Sequence, residues 1–175
     1  MARTRGGDLL LGEWSLLGLL NVAPAHGFAL AARMAPDADV GRIWSMSRAL
    51  TYRALDQLAM RGLIEPVLEE PGIAGGNRTV YAVTRSGRSH LRKWMNTPVA
   101  HVRDMRSELL LKIHLASLNG TDITAMLVAQ RDQLRRQVLA WSAASITDDP
   151  VDQWRFQAAH GAIRFLDLLL SRDSA

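Results

Sequence analysis

The chain has 175 residues, a length that fits one domain or one small domain with an appendage. Hydrophobic residues make up 48% of it and charged residues 22%, which predicts a buried core and excludes general disorder. Cysteine does not occur, so disulfides, thiolate zinc sites and cysteine nucleophiles are excluded, and we predict a cytoplasmic protein. No apolar run reaches the length of a membrane span, and Glu13 interrupts the apolar stretch near the start, which we interpret as a buried helix rather than a signal peptide.

The net charge of +4 is unevenly placed along the sequence. Residues 1–100 hold 12 basic and 8 acidic side chains, whereas residues 101–175 hold 9 of each. Residues 42–93 alone hold 9 basic and 4 acidic side chains, a local charge of +5. This excess favours a polyanionic partner, but charge alone equally allows a solvated surface in an arginine-rich protein.

Three helices are predicted in the first part of the chain. Apolar periodicity, with Pro24, Pro36 and Gly62 as stops, predicts them over Leu9–Val22, His26–Met34 and Trp44–Gly62. Ser45 or Ser47 is predicted to cap the third helix, because a hydroxyl oxygen accepts a hydrogen bond from a free first-turn amide.

A β-hairpin is predicted to follow the third helix. Leu63–Glu70 and Arg78–Thr84 have strand character, and the stretch "PGIAGGN" between them is dense in turn residues. Thr84 or Ser86 then caps a predicted fourth helix that ends near Met95.

Long helices are predicted from about residue 102 onward. One ends at Asn119-Gly120, the next opens at Thr121 or Asp122, and the last begins near Pro150. Their apolar stripes, together with the first helix, would expose too much apolar surface on one chain, so we predict a homodimer. The residues predicted to form the dimer interface are Leu9, Leu16, Leu109, Ile123, Leu127, Leu134, Val138, Ile163 and Leu166.

The order helix, helix, helix, hairpin predicts a mostly α protein with an N-terminal winged helix-turn-helix and a C-terminal helical region. We place the winged DNA-binding domain over residues 1–97 and the dimerisation and effector region over residues 98–175. The third helix of such a fold enters the major groove, so polar groups on its first turns are expected to contact DNA. The predicted DNA contacts are Ser47, Arg48, Thr51, Tyr52, Arg53 and Arg78. His26 is a further candidate, although capping or packing at the start of the second helix is the favoured interpretation for it.

Four stretches of the sequence resemble the PadR family of bacterial transcriptional regulators. They are "LLGLLNVAPAHGFALAARM", "SMSRALTYRALDQLAMRGLIEP", "TVYAVTRSGRSHLRKWM" and "PVAHVRDMRSELLLKIHL". Within them, His26-Gly27-Phe28 is similar to the family's start of the second helix and Tyr52 to its recognition-helix tyrosine, whereas Ala49 and Leu50 replace the usual Gly and Thr. The resemblance implies a homodimer with a C-terminal dimerisation region, and many such regulators respond to small molecules.

Trp94, Trp141 and Trp154 are predicted as walls for a small apolar or aromatic effector, although a tryptophan at helical spacing is more often part of a core. No cofactor, metal site or catalytic group is predicted, because the chain has no nucleotide-binding glycine loop and no paired-carboxylate arrangement. We therefore predict a homodimeric, sequence-specific regulator of double-stranded DNA, a repressor that an effector relieves. The alternative is a binding module for a small molecule or a protein, with a winged domain that no longer binds DNA.

Overall fold

The structure, a computed structural model, describes residues 9–71, 77–143 and 148–172. It is mostly α, as predicted, with one small antiparallel sheet. The elements in chain order are α1 (Leu11–Val22), β1 (Ala25–His26), α2 (Gly27–Arg33), α3 (Arg48–Met60), β2 (Ile64–Pro71), β3 (Asn77–Val83), α4 (Arg85–Met95), α5 (Leu110–Leu118), α6 (Thr124–Ala143) and α7 (Pro150–Arg172). A 3-10 turn (Val102–Asp104) and a π turn (Met105–Leu109) precede α5.

The described chain forms two compact units. The first contains residues 9–94 together with residues 110–121, and the second contains residues 95–109 and the helices α6 and α7. Helix α5 therefore packs with the winged part of the chain, which the division at residue 97 did not foresee. As a division of function, that boundary stays a prediction.

Helix α1 forms the centre of the first unit, because leucines lie on nearly every side of this helix. Leu16, Leu17 and Leu20 are buried. At the start of α1, the carboxylate of Glu13 accepts a hydrogen bond of 2.7 Å from the backbone N–H of Leu10. At its end, Asn119 of the first unit donates to the backbone carbonyl of Gly18 at 3.2 Å, which ties α5 to α1.

Helix α3 begins at Arg48, later than the predicted start at Trp44. Ser47 is its N-cap, and the Ser47 hydroxyl accepts a hydrogen bond of 3.3 Å from the N–H of Leu50. The preceding backbone bonds elsewhere, since the N–H of Met46 donates to the carbonyl of Met34 at 3.0 Å. Past its other end, Gly62 has a φ of 66°, a left-handed conformation that suits glycine as the residue after the C-cap.

The sheet has the strand order β1-β3-β2. The hairpin formed by β2 and β3, which we call the wing, matches the prediction, with Ile64 opposite Val83 and Pro71 opposite Asn77. Of the predicted Gly-rich turn, Pro71 and Asn77 lie in the two strands, and residues 72–76 lie outside the described residues. The two-residue strand β1 was not predicted, because two residues are too short to show a period-two pattern. It pairs His26 with Val80 and so places the start of α2 beside the wing.

The second unit is organised by α6 and α7, each opened by an aspartate. Asp122 accepts from the N–H of Thr124 and Asp149 from the N–H of Val151, both at 2.8 Å. A fully buried glutamine, Gln130, bonds both the N–H and the carbonyl of Val99.

The predicted dimer stripe is already buried within the single chain, which corrects that assignment. Ile163 alone of the nine residues keeps intermediate exposure. The eight buried members are Leu9, Leu16, Leu109, Ile123, Leu127, Leu134, Val138 and Leu166. A side chain without exposed surface has none to bury against a second copy, so Leu134→Arg would damage the core of the chain itself. The apolar side chains that α6 and α7 do leave exposed are Leu139, Val151, Trp154, Phe165 and Leu168.

Candidate nucleic-acid interface

Basic and aromatic side chains gather at the start of α3. The guanidinium carbon of Arg48 lies 4.9 Å from the ring centroid of Phe28 and 5.9 Å from that of Tyr52. The guanidinium carbon of Arg78 lies 5.5 Å from the ring centroid of Phe28. We call Phe28, Arg48, Tyr52 and Arg78 the arginine–aromatic cluster. Phe28 is 48% exposed and Tyr52 42%, so the cluster is accessible from solvent.

Three elements assemble this cluster. Phe28 comes from the first turn of α2, Arg48 and Tyr52 come from the first turns of α3, and Arg78 comes from β3. The pairing of β1 with β3 brings the start of α2 next to the wing. Gly27 allows the close approach of α2 and α3, because a Cβ there would lie 2.6 Å from Cε1 of Tyr52.

The electrostatics of the cluster favour an anion. Among the described residues, neither Arg48 nor Arg78 has a carboxylate within ion-pair distance. Arg48 also occupies the first position of α3, where the partial positive charge of the helix dipole opposes a cation and attracts an anion. Contact with the Phe28 ring offsets part of this cost, by about 0.5–1 kcal/mol for an exposed cation–π pair.

His26 caps α2, one of the two roles predicted for it. Its Nδ1 accepts a hydrogen bond of 3.0 Å from the N–H of Ala29. Because Nδ1 is the acceptor, the neutral ring carries its proton on Nε2, and this N–H is a donor. The ring centroid lies 6.3 Å from that of Phe28, at the border of the cluster.

Three further predicted contacts have different surroundings. Thr51 is fully buried and its hydroxyl donates to the carbonyl of Ser47 at 3.1 Å, so its assignment as a DNA contact is corrected. Thr51 faces the core because the helical repeat places it on the same side as Leu55 and Leu58. Ser47 is exposed but its hydroxyl oxygen serves as the cap, and Arg53 is exposed on another side of α3, away from the cluster.

Phe28 is the contributor that sequence reasoning missed as a site residue. It was noted only as the aromatic residue of the second-helix motif. The signal that could have identified Phe28 was its position directly after the cap residue and Gly27. An apolar side chain at this point of the first turn does not belong to an apolar stripe of the helix.

The predicted effector tryptophans are only partly brought together. Trp141 and Trp154 line a pocket of about 180 Å³ in the second unit, together with His101, Arg103 and Arg155. Trp94 belongs to the first unit and is not among the residues that line this pocket, so its role as an effector wall stays a prediction. Its ring stacks on that of Trp14 with centroids 4.7 Å apart, and Nζ of the buried Lys112 lies 4.9 Å from its centroid.

The described part of the chain has neither a group of metal-ligating side chains nor a membrane-spanning helix. No three histidine, aspartate or glutamate side chains in those residues are grouped so that they could hold a metal ion. None of the described helices has the length and apolar character that crossing a membrane requires.

Three packed helices, an arginine–aromatic cluster at the start of the third, and a β-hairpin beside it define a winged helix-turn-helix protein. Residues 16–93, from α1 to α4, match the model of the Transcriptional regulator PadR-like family. This segment of the chain is therefore similar to PadR-like transcriptional regulators, which agrees with the resemblance drawn from its sequence.

The solved structures whose backbones are similar to this protein share little sequence with it. PadR of Bacillus subtilis in complex with operator DNA is 18% identical, with 91% of this chain and 93% of that chain covered and a TM-score of 0.48. The PadR-like regulator BC1756 of Bacillus cereus is 19% identical, with 97% and 99% covered and a TM-score of 0.43. The virulence activator AphA of Vibrio cholerae is 22% identical, with 94% and 98% covered and a TM-score of 0.43. No curated protein matches the sequence. The likeness to the PadR-like family therefore rests on residues 16–93.

Proposed function

We propose that the protein is a homodimeric, sequence-specific DNA-binding repressor that acts in the cytoplasm and is relieved by a small molecule. The observation that carries the DNA-binding part is the arginine–aromatic cluster. It presents two guanidiniums, at the start of α3 and on the wing, that have no carboxylate partner among the described residues. A PadR-like family match over the same segment supports it.

The cluster suits the DNA backbone. A guanidinium donates two parallel hydrogen bonds to a phosphate, and the Phe28 ring limits the orientations that Arg48 and Arg78 adopt before binding. The Tyr52 hydroxyl and the Nε2–H of His26 add neutral donors at the border of the cluster. Such contacts fix the register of the protein on the duplex without reading its sequence.

We assign the recognition of DNA bases to the outward face of α3. Arg53 is exposed there, one turn after Ala49, and Asp56 follows on the same face. An arginine in the major groove bonds O6 and N7 of guanine, and an aspartate accepts from N4 of cytosine. Each well-aligned contact discriminates against a wrong base by about 1–3 kcal/mol.

Homodimerisation is assigned to the exposed apolar side chains of α6 and α7 rather than to the buried stripe. Leu139, Trp154 and Leu168 are 70%, 60% and 51% exposed. Covering them with a second copy removes apolar surface from water and presents two recognition helices to half-sites about one helical turn apart. Trp154→Glu should therefore shift the sedimentation equilibrium toward single chains, whereas a dimer of undiminished stability would contradict this interface.

An effector pocket at Trp141 and Trp154 stays part of the proposal. Its volume of about 180 Å³ lies below the roughly 300–1,000 Å³ of common small-molecule sites, so it accepts one small ring at most. Repression follows if the dimer covers a promoter. Relief of repression follows if the bound effector lowers the affinity of the dimer for DNA.

The test of DNA binding is fluorescence anisotropy with the duplex upstream of the protein's own coding region, at several salt concentrations. Arg48→Ala and Arg78→Ala should each weaken binding and reduce the slope of log K against log salt by about one, because each removes one phosphate contact. Arg106→Ala, at an exposed arginine of the second unit, is the matched control and should leave the slope unchanged.

Two outcomes would contradict the DNA-binding proposal. Equal slopes for the cluster variants and the wild type would remove the cluster from the interface. No binding of the wild type even at low salt would support the alternative of a binding module without DNA affinity.

A further inference from the structure

A second feature of the first unit is a groove that runs between the start of α1 and one side of α3. We propose that this groove binds an amphiphilic anion, an aliphatic carboxylate, and that its occupant competes with DNA for Arg53. The binding step stands by itself, whereas the competition with DNA rests on the function proposed above.

The groove has the size of a ligand site. Its volume is about 750 Å³, within the roughly 300–1,000 Å³ that small-molecule pockets span. The walls are residues 10–13 at the start of α1, residues 44–46 before α3, and residues of α3 from Leu50 to Gln57 with the C-cap residue Arg61. The pocket at Trp141 and Trp154 has about a quarter of this volume.

The floor of the groove is apolar and open. Leu10, Trp44 and Leu50 are 60%, 39% and 51% exposed, although each is a large hydrophobic side chain. They come from three different segments and converge on the same space. An aliphatic chain laid along them would remove all three from water.

One border of the groove is cationic. Arg53 and Gln57 of α3 and its C-cap residue Arg61 follow each other at four-residue steps, so they lie along one edge of the helix over about 12 Å. Among the described residues, neither arginine has a carboxylate within ion-pair distance. Glu13 also lines the groove, but it is only 4% exposed and its carboxylate accepts from the N–H of Leu10.

This combination selects one ligand chemistry. A cation would be repelled by Arg53 and Arg61, and a neutral apolar molecule would leave both guanidiniums without an anion. A highly charged anion such as a nucleotide would leave the leucines and Trp44 uncovered. A carboxylate at the head of an aliphatic chain suits both the cationic border and the apolar floor of the groove. The carboxylate forms a forked pair with a guanidinium, and the chain is buried on the floor.

Arg53 connects the groove with the proposed DNA surface. Its side chain lines the groove and also belongs to the outward face of α3. A carboxylate bound to Arg53 neutralises a charge that would otherwise meet the duplex. The bound ligand is therefore expected to weaken DNA binding without any movement of α3.

The experiment is calorimetric titration of the full chain with three ten-carbon probes below their aggregation concentrations: decanoate, decanol and decyltrimethylammonium. Decanoate should bind once per chain and at least about tenfold more tightly than decanol, because only the anion pairs with the guanidiniums. Decyltrimethylammonium should bind more weakly than decanol.

Variants locate the site. Arg61→Gln, outside the proposed DNA contacts, should weaken decanoate binding about tenfold and leave decanol binding unchanged. Leu50→Glu should abolish decanoate binding, and circular dichroism checks that it stays folded. Arg85→Gln, at an exposed arginine of α4 that does not line the groove, is the control.

Three outcomes would overturn the inference: equal affinities for decanoate and decanol, a decanoate affinity that Arg61→Gln leaves unchanged, or an affinity that falls as protein concentration rises. The last would mean that a second copy covers the groove. In a separate anisotropy measurement with the duplex, decanoate should release the DNA, and Arg61→Gln should require about tenfold more of it. A wild type that binds no duplex refutes the proposed function, whereas a duplex-binding protein without decanoate selectivity refutes this inference.

Discussion

Gln130 offers a test of how the second unit is held together. It is completely buried on α6, and its Oε1 accepts a hydrogen bond of 2.6 Å from the N–H of Val99. Its Nε2 donates to the Val99 carbonyl at 3.2 Å. The same carbonyl also accepts from Nε2 of Gln133 at 3.0 Å, so the carbonyl has two donors and the N–H has one acceptor.

Replacing Gln130 with leucine should therefore act mainly through the N–H of Val99. Val99 is 2% exposed, so its N–H would be buried without a partner, at a cost of about 1–3 kcal/mol. The Val99 carbonyl keeps its bond to Gln133, which limits the additional loss. We expect the free energy of unfolding to fall by about 2 kcal/mol, roughly a 30-fold change in the unfolding equilibrium.

Gln133→Leu is the matched control, since it removes one of two donors to the same carbonyl and should cost about 0.5–1 kcal/mol. Urea unfolding followed by circular dichroism measures both variants, with a midpoint shift of about 1 M expected for Gln130→Leu. Amide exchange at Val99 reports the local effect directly. If Gln133→Leu destabilises as much as Gln130→Leu, or if exchange at Val99 stays slow, the reasoning about the unpaired N–H is wrong.

Three further changes test the first unit. Thr51→Val should lower stability by about 1 kcal/mol and leave DNA affinity within about twofold at fixed salt, because the hydroxyl bonds only to backbone; a large loss of affinity would restore Thr51 as a DNA contact. Gly27→Ala should destabilise by about 1–3 kcal/mol, and by much less in a Tyr52→Ala background, since the new Cβ meets that ring; additive losses would rule out this contact. The hydrogen-bonded Arg33 guanidinium lowers the pKa of Asp39 below 3.8, so Asp39 contributes stability above that pH. In urea titrations, the stability lost in Asp39→Asn should shrink as the pH falls below 3.8, whereas a pH-independent difference would contradict the pairing.

Features that depend on local chemistry were predictable from the sequence. Ser47 was one of two predicted caps, and Gly62 and Gly120 were predicted stops; both glycines have a positive φ, of 66° and 57°. The start of α3 was predicted too early, because residues 44–46 contain no glycine or proline that would exclude them from a helix. The N–H of Met46 instead donates to a distant partner, the carbonyl of Met34.

Features that depend on which distant surfaces meet were not predictable. The near-heptad stripe of α6 correctly marked residues that avoid water, but periodicity cannot tell whether the same chain or a second copy covers them. Leu134 and Leu127 are covered in the single chain. Likewise, Arg48 and Arg78 were predicted one by one from their positions in the sequence, whereas the approach of Arg78 to Phe28 depends on the register of β1 with β3.

Because Arg53 is the element shared by the groove and the proposed DNA surface, it also limits how strongly one site can affect the other. A ligand that only neutralises Arg53 can weaken DNA binding by no more than the loss of Arg53 itself, about 1–3 kcal/mol or 5- to 150-fold. Two consequences follow by linkage: DNA must weaken decanoate binding by the same factor, and in an Arg53→Ala background decanoate should no longer change DNA affinity. An effect that survives in that background would require α3 or its neighbours to move, and simple competition for one side chain would then be wrong.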